Sequence, residues 1–483
     1  MKILLINPIM NKTVSRISSF FPSGIAYLAS YLESNGFEVR VFDFQTLPRK
    51  SLKAHGFLPY LKREIDSFNP DIVGIGCLFS HYLPSIKEIV RDLKALKESM
   101  VIVLGGLHPT LYYEKLMAQL QAIDFIILGE GEVSFLALCK KLKENAKTFS
   151  DIDGLAYREG GEIKVNQKMS FIERLDDLPF PAFDKFNMET YMYHIRYNRK
   201  NRGMSVITSR SCPQRCTFCS MFHSHGRKWR TRSAANVLDE IELLYHKYNI
   251  RNFQFMDDNM TFNKERTISI CRGILDRGMN ITFFFPNGMS INTLDREVIE
   301  IMKEAGCVEI RLPIESGSEH LRNKIMKKGL SNKKIFEVIE ACNDLDLPTV
   351  GYFIVGMPGE DHKTMQENVD FVKQLKGRKF VDFLGTNFAI PFPGTALYKQ
   401  CVEEELIDDK AMEQLMDGTI TIFDQPIIRL KTITEEELIE HRKQLWEISF
   451  KQNFFRILRR YSRPTRNNYQ IFRALVHRFV VGY

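Results

Sequence analysis

The sequence predicts an α/β protein built from two units in series. The first is a doubly wound parallel sheet over residues 1–145, and the second a partial (β/α)6 barrel over residues 201–400. Two observations carry that expectation. Short apolar runs alternate with helix-period segments five times in the first unit and six times in the second. Between them, residues 146–200 lack that alternation and contain a hairpin pattern and prolines, as a connecting segment would. A helical region over residues 401–483, ending in a basic amphipathic tail, completes the expected order.

The first unit opens with the strand KILLINP and the helix PSGIAYLASYLESNG, then continues through FEVRVFDF, DIVGIGCLF, VIVLGG and DFIILGEGE with a helix after each. Nearly continuous apolar strands are those of a parallel sheet covered on both faces. Such sheets bind ligands beyond the carboxyl ends of their strands. The residues there are Asn7-Pro8, Cys77 to His81, Gly105-Gly106-Leu107-His108-Pro109 and Gly129-Glu130-Gly131-Glu132. Glycines after neighbouring strands let a flat ligand approach the backbone, although tight strand-to-helix turns are the commoner meaning of such short motifs. In the connecting segment, DIDGLAYREGGEIKVN reads as a hairpin turning at Gly160-Gly161, and DDLPFPAFD as a stiff linker.

The second unit begins with the strand MSVIT, followed at once by SRSCPQRCTFCSMF. Six of the nine cysteines are scattered singly, as small buried apolar residues would be. Cys212, Cys216 and Cys219 instead share one loop at C-x3-C-x2-C spacing, so that three thiolates can hold one metal centre. Zinc is one reading, because His223 would complete a Cys3His set. A 4Fe–4S cluster with one iron left open is the other, favoured by a position at the mouth of a strand–helix series. The later strands end in Asp257, Asp258, Asn259, Asn287, Glu315, Ser316, Gly356 and Glu360, which read together as a site facing that mouth.

Taken together, CPQRCTFC, FMDDN, EIRLPIESGSE, GYFIVGMPGE and AIPFPGTALY resemble the motifs of cobalamin-binding radical S-adenosylmethionine (SAM) enzymes, over about residues 1–400. The resemblance implies a flavodoxin-like B12-binding domain and a radical SAM barrel. It implies a 4Fe–4S cluster on Cys212, Cys216 and Cys219, and SAM held by Phe218, Asp257, Asp258, Glu315, Ser316 and Gly356. It also implies cobalamin on Asn7, Gly105, Gly106, His108, Gly129 and Glu130. The D-x-H-x-x-G signature is absent from residues 1–145, so cobalamin is expected base-off, without a protein axial histidine. A second departure is that FPNGMSINTLD lacks an arginine that relatives often carry. The implied activity is methylation of an unactivated carbon of a small molecule or lipid, fed by a flavodoxin- or ferredoxin-type one-electron donor. A radical cyclase or rearranging enzyme, and a non-enzymatic zinc-binding interaction protein, are the competing classes.

Formal net charge is +8, and residues 451–483 alone carry eight Lys and Arg with no acid. The rest of the chain therefore balances to zero, which argues against a nucleic-acid-binding face. The amino-terminal apolar run ILLI is short for a secretory segment and no run of 18 apolar residues occurs, so a cytoplasmic protein is expected. Thr434 and Glu437 have capping-box spacing and open a tail helix. A second helical pattern aligns Ile471, Phe472, Leu475, Val476, Phe479 and Val480 in one stripe beside arginines. That stripe suits peripheral contact with an anionic membrane and suits packing on the barrel equally well.

Overall fold

The computed structural model describes residues 1–10, 21–191, 203–375 and 383–461. Its first sheet is built from β1 (Lys2–Asn7), β2 (Glu38–Asp43), β3 (Ile72–Gly76), β4 (Val101–Gly105), β5 (Phe125–Ile127), β6 (Leu155–Glu159) and β7 (Glu162–Asn166). They lie in the order β2-β1-β3-β4-β5-β6-β7. The first five strands are parallel, as their apolar sequences require. Leu4, Ile6, Val73, Ile75, Ile102 and Leu104 enter one core, while Ile3, Leu5, Ile72, Val103, Phe125 and Ile127 enter the core on the opposite face. The β6–β7 hairpin, which the sequence assigns to the connecting segment, extends this sheet antiparallel from β5.

The second sheet follows β8 (Gly203–Val206). The short strands β9 (Ser209–Arg210) and β10 (Arg230–Thr231) pair with each other, and β11 (Asn252–Phe255), β12 (Thr282–Phe284), β13 (Cys307–Glu315), β14 (Thr349–Val355) and β15 (Phe383–Phe388) complete the series. The six long strands run parallel in sequential order from β8 through β11 to β15, which is the partial (β/α)6 arrangement. Met204, Val206, Phe253, Phe255, Phe283, Ile310, Leu312, Ile314, Phe353 and Val355 pack under the helices. Strand alternation turns Ser205, Gln254, Thr282, Glu309, Arg311 and Tyr352 to the other side. There Arg311 donates to Glu309 Oε1 (2.7 Å) and to the Tyr352 hydroxyl (2.8 Å). Five of the covering helices start at a side-chain cap, on Ser233, Asn263, Asp295, Ser331 and Asp361, which fixes where each strand-to-helix loop ends.

Two segments bind the units together. The linker docks on the first sheet through the Tyr191 hydroxyl, which donates to Asp43 Oδ2 (2.5 Å). After the barrel the chain returns to the first domain, where Ala411, Met412, Leu415 and Ile427 complete one of its cores. The expected tail helix, Glu435–Tyr461, lies on β15 and on the helix His362–Gln374. Thr434 N donates to Glu437 Oε2 (2.8 Å) and Glu437 N to Thr434 Oγ1 (3.2 Å), closing the capping box. Residues 462–483, with the second apolar stripe, lie outside the described residues. No described helix is long and apolar enough to cross a membrane.

Gly106, just past β4, has φ of +113°, and a methyl group there would lie 2.5 Å from the Cys77 carbonyl oxygen. The close approach lets β3 and β4 end side by side. Gly106→Ala is expected to cost about 2 kcal/mol or more. A lowered urea midpoint at unchanged slope would report it.

Candidate active site

Strands β9 and β10 pair antiparallel with Arg210 opposite Arg230, and so close the base of the loop that carries Cys212, Cys216 and Cys219. These three thiols are half-buried, whereas the six scattered cysteines are fully buried. Ser211 takes a left-handed φ of +74°; its N–H donates to Asp258 Oδ2 (3.1 Å) and its hydroxyl to Gly226 O (2.7 Å). Farther along, Thr217 donates through N–H to Met326 O (3.1 Å) and through its hydroxyl to Ile325 O (3.0 Å). Phe218 packs beside Leu321, Met326, Met357 and Leu397, so the aromatic before the third cysteine pins the loop to the far wall of the mouth.

The end of β13 faces these thiols. Glu315 has φ of +68°, at a shift in the strand register, and its Oε1 accepts from Lys328 Nζ at 2.6 Å with both side chains buried. Burial pushes the three thiols up, Cys219 to about 12, while the charge of Lys328 opposes this at Cys212 and Cys216. Asn259 Nδ2 lies 3.7 Å from Cys212 Sγ. Asp258 is raised by burial, with His225 opposing, and it adds its charge at Cys212 and Cys219. Three thiols in one loop with a cation beside them have the donor chemistry an iron–sulfur cluster requires. Among the described residues no group of three or more His, Cys, Asp or Glu is arranged to hold a metal ion. His223 Nε2 lies against Gly394, where an added Cβ would be 2.3 Å away.

A second face lies at the carboxyl ends of β3 and β4. Leu78 and Phe79 are 52% and 44% exposed there, and Phe79 stacks on His81 with ring centroids 5.3 Å apart. His108 is buried: its Nδ1 is 3.1 Å from Ser80 Oγ, and its Nε2 has no hydrogen-bond partner among the described residues. Burial pushes its pKa down to about 4, so the ring is neutral at pH 7. Exposed apolar surface beside an orphaned nitrogen fits a broad, flat ligand with polar edges, such as cobalamin.

Residues 206–372 match the radical SAM superfamily and residues 14–139 match the B12 binding domain. The chain thus carries a B12 binding domain followed by a radical SAM domain. It is 29% identical over 443 residues to an uncharacterised methyltransferase of Pyrococcus horikoshii, covering 91% of this chain and 90% of that one. Cytidylyl-2-hydroxyethylphosphonate methyltransferase of Streptomyces wedmorensis is 28% identical, over 84% of this chain and 83% of its own. The anaerobic magnesium-protoporphyrin IX monomethyl ester cyclase of Cereibacter sphaeroides is 26% identical, over 91% and 69%. In fold, the chain resembles the radical SAM methyltransferase TsrM of Kitasatospora setae (TM-score 0.67, 19% identity, covering 83% of this chain and 75% of that one). It likewise resembles the cobalamin-dependent radical enzyme OxsB (TM-score 0.72, 18% identity, 99% and 70%).

Within this radical SAM enzyme the structure gathers some of the expected contacts and disperses others. Cys212, Cys216, Cys219, Asp258 and Glu315 share one mouth, joined by Lys328, which the sequence did not single out. Asp257 faces the other way: its carboxylate accepts from Thr208 N–H (3.2 Å), the Thr208 hydroxyl (2.7 Å) and the Ser209 hydroxyl (2.5 Å), so it ties the turn between β8 and β9. Ser316 is fully buried and its hydroxyl donates to Asn368 Oδ1 (2.8 Å), which holds the turn after β13. Gly356, with φ of +88°, is covered by the tail helix, for an added Cβ would lie 2.9 Å from Leu438. In the first domain Asn7 Nδ2 is engaged by Asp43 Oδ1 (2.9 Å), and Gly129 sits close under the carbonyls of His223 and Ser224. Both oxygens of Glu130 are occupied by arginines, as described below. Gly105 and Gly106 lie half-buried at the ends of the strands that carry the Leu78–Phe79 face, with His108 buried beneath it.

Glu360, at the end of the GYFIVGMPGE motif, accepts from Gly356 N–H (2.5 Å) and Met357 N–H (3.2 Å), yet burial raises its pKa to about 7. A carboxyl raised by folding stabilises the protein below its ordinary pKa, and this contribution is lost as pH rises through the folded value. Unfolding free energies of Glu360→Gln and wild type are therefore expected to diverge in favour of Gln as pH rises from about 4.5 to beyond 7, by about 3 kcal/mol. A constant difference across that range would contradict the assignment.

Proposed function

We propose that this radical SAM enzyme is a cobalamin-dependent methyltransferase acting on an unactivated carbon of a small molecule. The observation that carries the reading is the mouth itself, where three cysteines of one loop meet Asp258, Glu315 and Lys328 under a B12-binding domain. The match to methyltransferases over nearly the whole chain supports it. When bound, the cluster and SAM supply one-electron bond cleavage, and cobalamin supplies a methyl carrier.

The chain's own part is positional. Cys212, Cys216 and Cys219 would hold three irons and leave the fourth open. Asp258, Glu315 and Lys328 place two carboxylates and a cation beside them, complementary to the charged groups of SAM. The exposed face of Leu78 and Phe79, with His108, would receive cobalamin. Below the mouth, Ser205, Gln254, Glu309, Arg311 and Tyr352 give the barrel interior a polar wall, and enclosure there keeps water from a reactive carbon. A one-electron donor of flavodoxin or ferredoxin type is required. A lipid substrate reached through the basic tail is the narrower version of this reading. A radical cyclase that transfers no methyl is the second reading, favoured by the cyclase relatives.

Replacing the three loop cysteines by Ala is expected to abolish iron and sulfide uptake during anaerobic reconstitution while leaving the circular dichroism spectrum intact. Incubated anaerobically with a cell metabolite extract, a reductant and SAM carrying a deuterated methyl group, the wild type is expected to place that label in a new product. Cofactor cleavage without transferred label would support the cyclase reading.

A further inference from the structure

The loop that carries the three cysteines is anchored at both ends by the other domain. Arg210 immediately precedes it and Arg230 immediately follows it, and the two are cross-strand partners. Arg230 binds Glu130 through two parallel bonds, Nη2 to Oε1 (2.7 Å) and Nη1 to Oε2 (3.1 Å). Arg210 reaches Glu132 Oε1 at 2.6 Å and Glu130 Oε1 at 3.3 Å. All four side chains are at most 7% exposed. Glu130 Oε2 also accepts from Ile172 N–H (3.0 Å), and Arg230 donates to the carbonyl of His225 (2.6 Å), itself in the segment between the arginines. Glu130 and Glu132 stand where the last parallel strand of the B12-binding domain turns into the helix Gly131–Lys143. The two nitrogens of the Arg230 fork, the Arg210 pair and the Ile172 N–H thus occupy both oxygens of Glu130.

We propose that Glu130 and Glu132 are positioning residues for the cluster: acting through Arg230 and Arg210, they fix the base of the cysteine loop relative to the B12-binding domain. This rests on the radical SAM reading of the loop. Buried, two-pronged pairs of this kind are directional, and removing one partner strands a buried charge, so the loop base cannot shift without the domain that holds it. Outer groups that orient metal ligands change the metal's properties without touching it.

The test uses the full chain, reconstituted anaerobically with iron and sulfide, in wild type, Glu132→Gln and Arg210→Lys. Each is examined by electron paramagnetic resonance of the reduced cluster, by iron release to a chelator and by spectrophotometric titration with hydroxocobalamin. Both variants are expected to show an altered resonance line shape and to hold iron about tenfold more weakly, with hydroxocobalamin affinity unchanged. Arg210→Lys keeps the charge but loses the simultaneous reach to Glu130 and Glu132, so it decides the question if the Gln variant fails to fold. Cluster signals and iron retention identical to wild type would overturn the proposal. So would loss of hydroxocobalamin affinity with an unaltered cluster, which would return these glutamates to the corrinoid site. A wild type that takes up no cluster overturns the radical SAM reading and this proposal together, whereas a normal wild-type cluster with unmoved variants overturns only this one.

Discussion

The buried pairing of Glu130 and Glu132 with Arg230 and Arg210 is the interaction on which the functional arrangement depends. Each domain alone would present unpaired charge at this point: two carboxylates beyond β5, two guanidinium groups at the neck of the cysteine loop. Burial opposes ionisation of Glu130, but His225, Arg210 and Arg230 hold its carboxyl well below the usual carboxylate range. The charged form is therefore the resting one, and separation of the domains would expose charges that each domain has desolvated. The cysteine loop is thus held against the B12-binding domain by this pairing in addition to the docked linker and the returning apolar segment.

A second constraint is the period of two along the strands. In the first domain it divides residues between two apolar cores, because helices cover both faces. In the barrel it sends Ile310, Leu312 and Ile314 under the helices and leaves Glu309, Arg311 and Glu315 on the inner side of the same strand. One strand thereby supplies both core and chemistry. The left-handed backbone at Glu315 ends that alternation at the point where the carboxylate meets Lys328, and strain at such a position is tolerated because the buried pair over-determines it.

Much of this was legible in the sequence. Apolar runs of strand length placed both sheets, and the spacing of Cys212, Cys216 and Cys219 located the mouth, because local patterns encode local structure. What the sequence concealed depends on direction and on distant partners. Asp257 and Asp258 are adjacent and chemically identical, yet adjacent strand-end residues point to opposite sides, and one serves the turn while the other serves the mouth. Lys328 follows Lys327 before a glycine, the pattern of a solvated turn, and only the fold brings it to Glu315. Glu130 follows a strand that ends at the expected ligand face, and nothing local in the sequence announces its partner Arg230, 100 residues away. The helix Asp409–Met416 is not distinguished in sequence within the helical region of residues 401–483, because the core that its apolar residues join lies in the first domain.

That return of the chain has a consequence for how the protein can be taken apart. Ala411, Met412, Leu415 and Ile427 belong to the core of the first domain although the barrel separates them from it in sequence. A fragment cut at the linker would lose the last wall of its own core and expose the apolar groups beneath. The two domains are therefore consecutive in the chain but not interchangeable cassettes, and a chimaera that exchanged the B12-binding half would have to carry residues 407–428 with it. Recombination between relatives is accordingly expected to preserve the two segments as a linked pair.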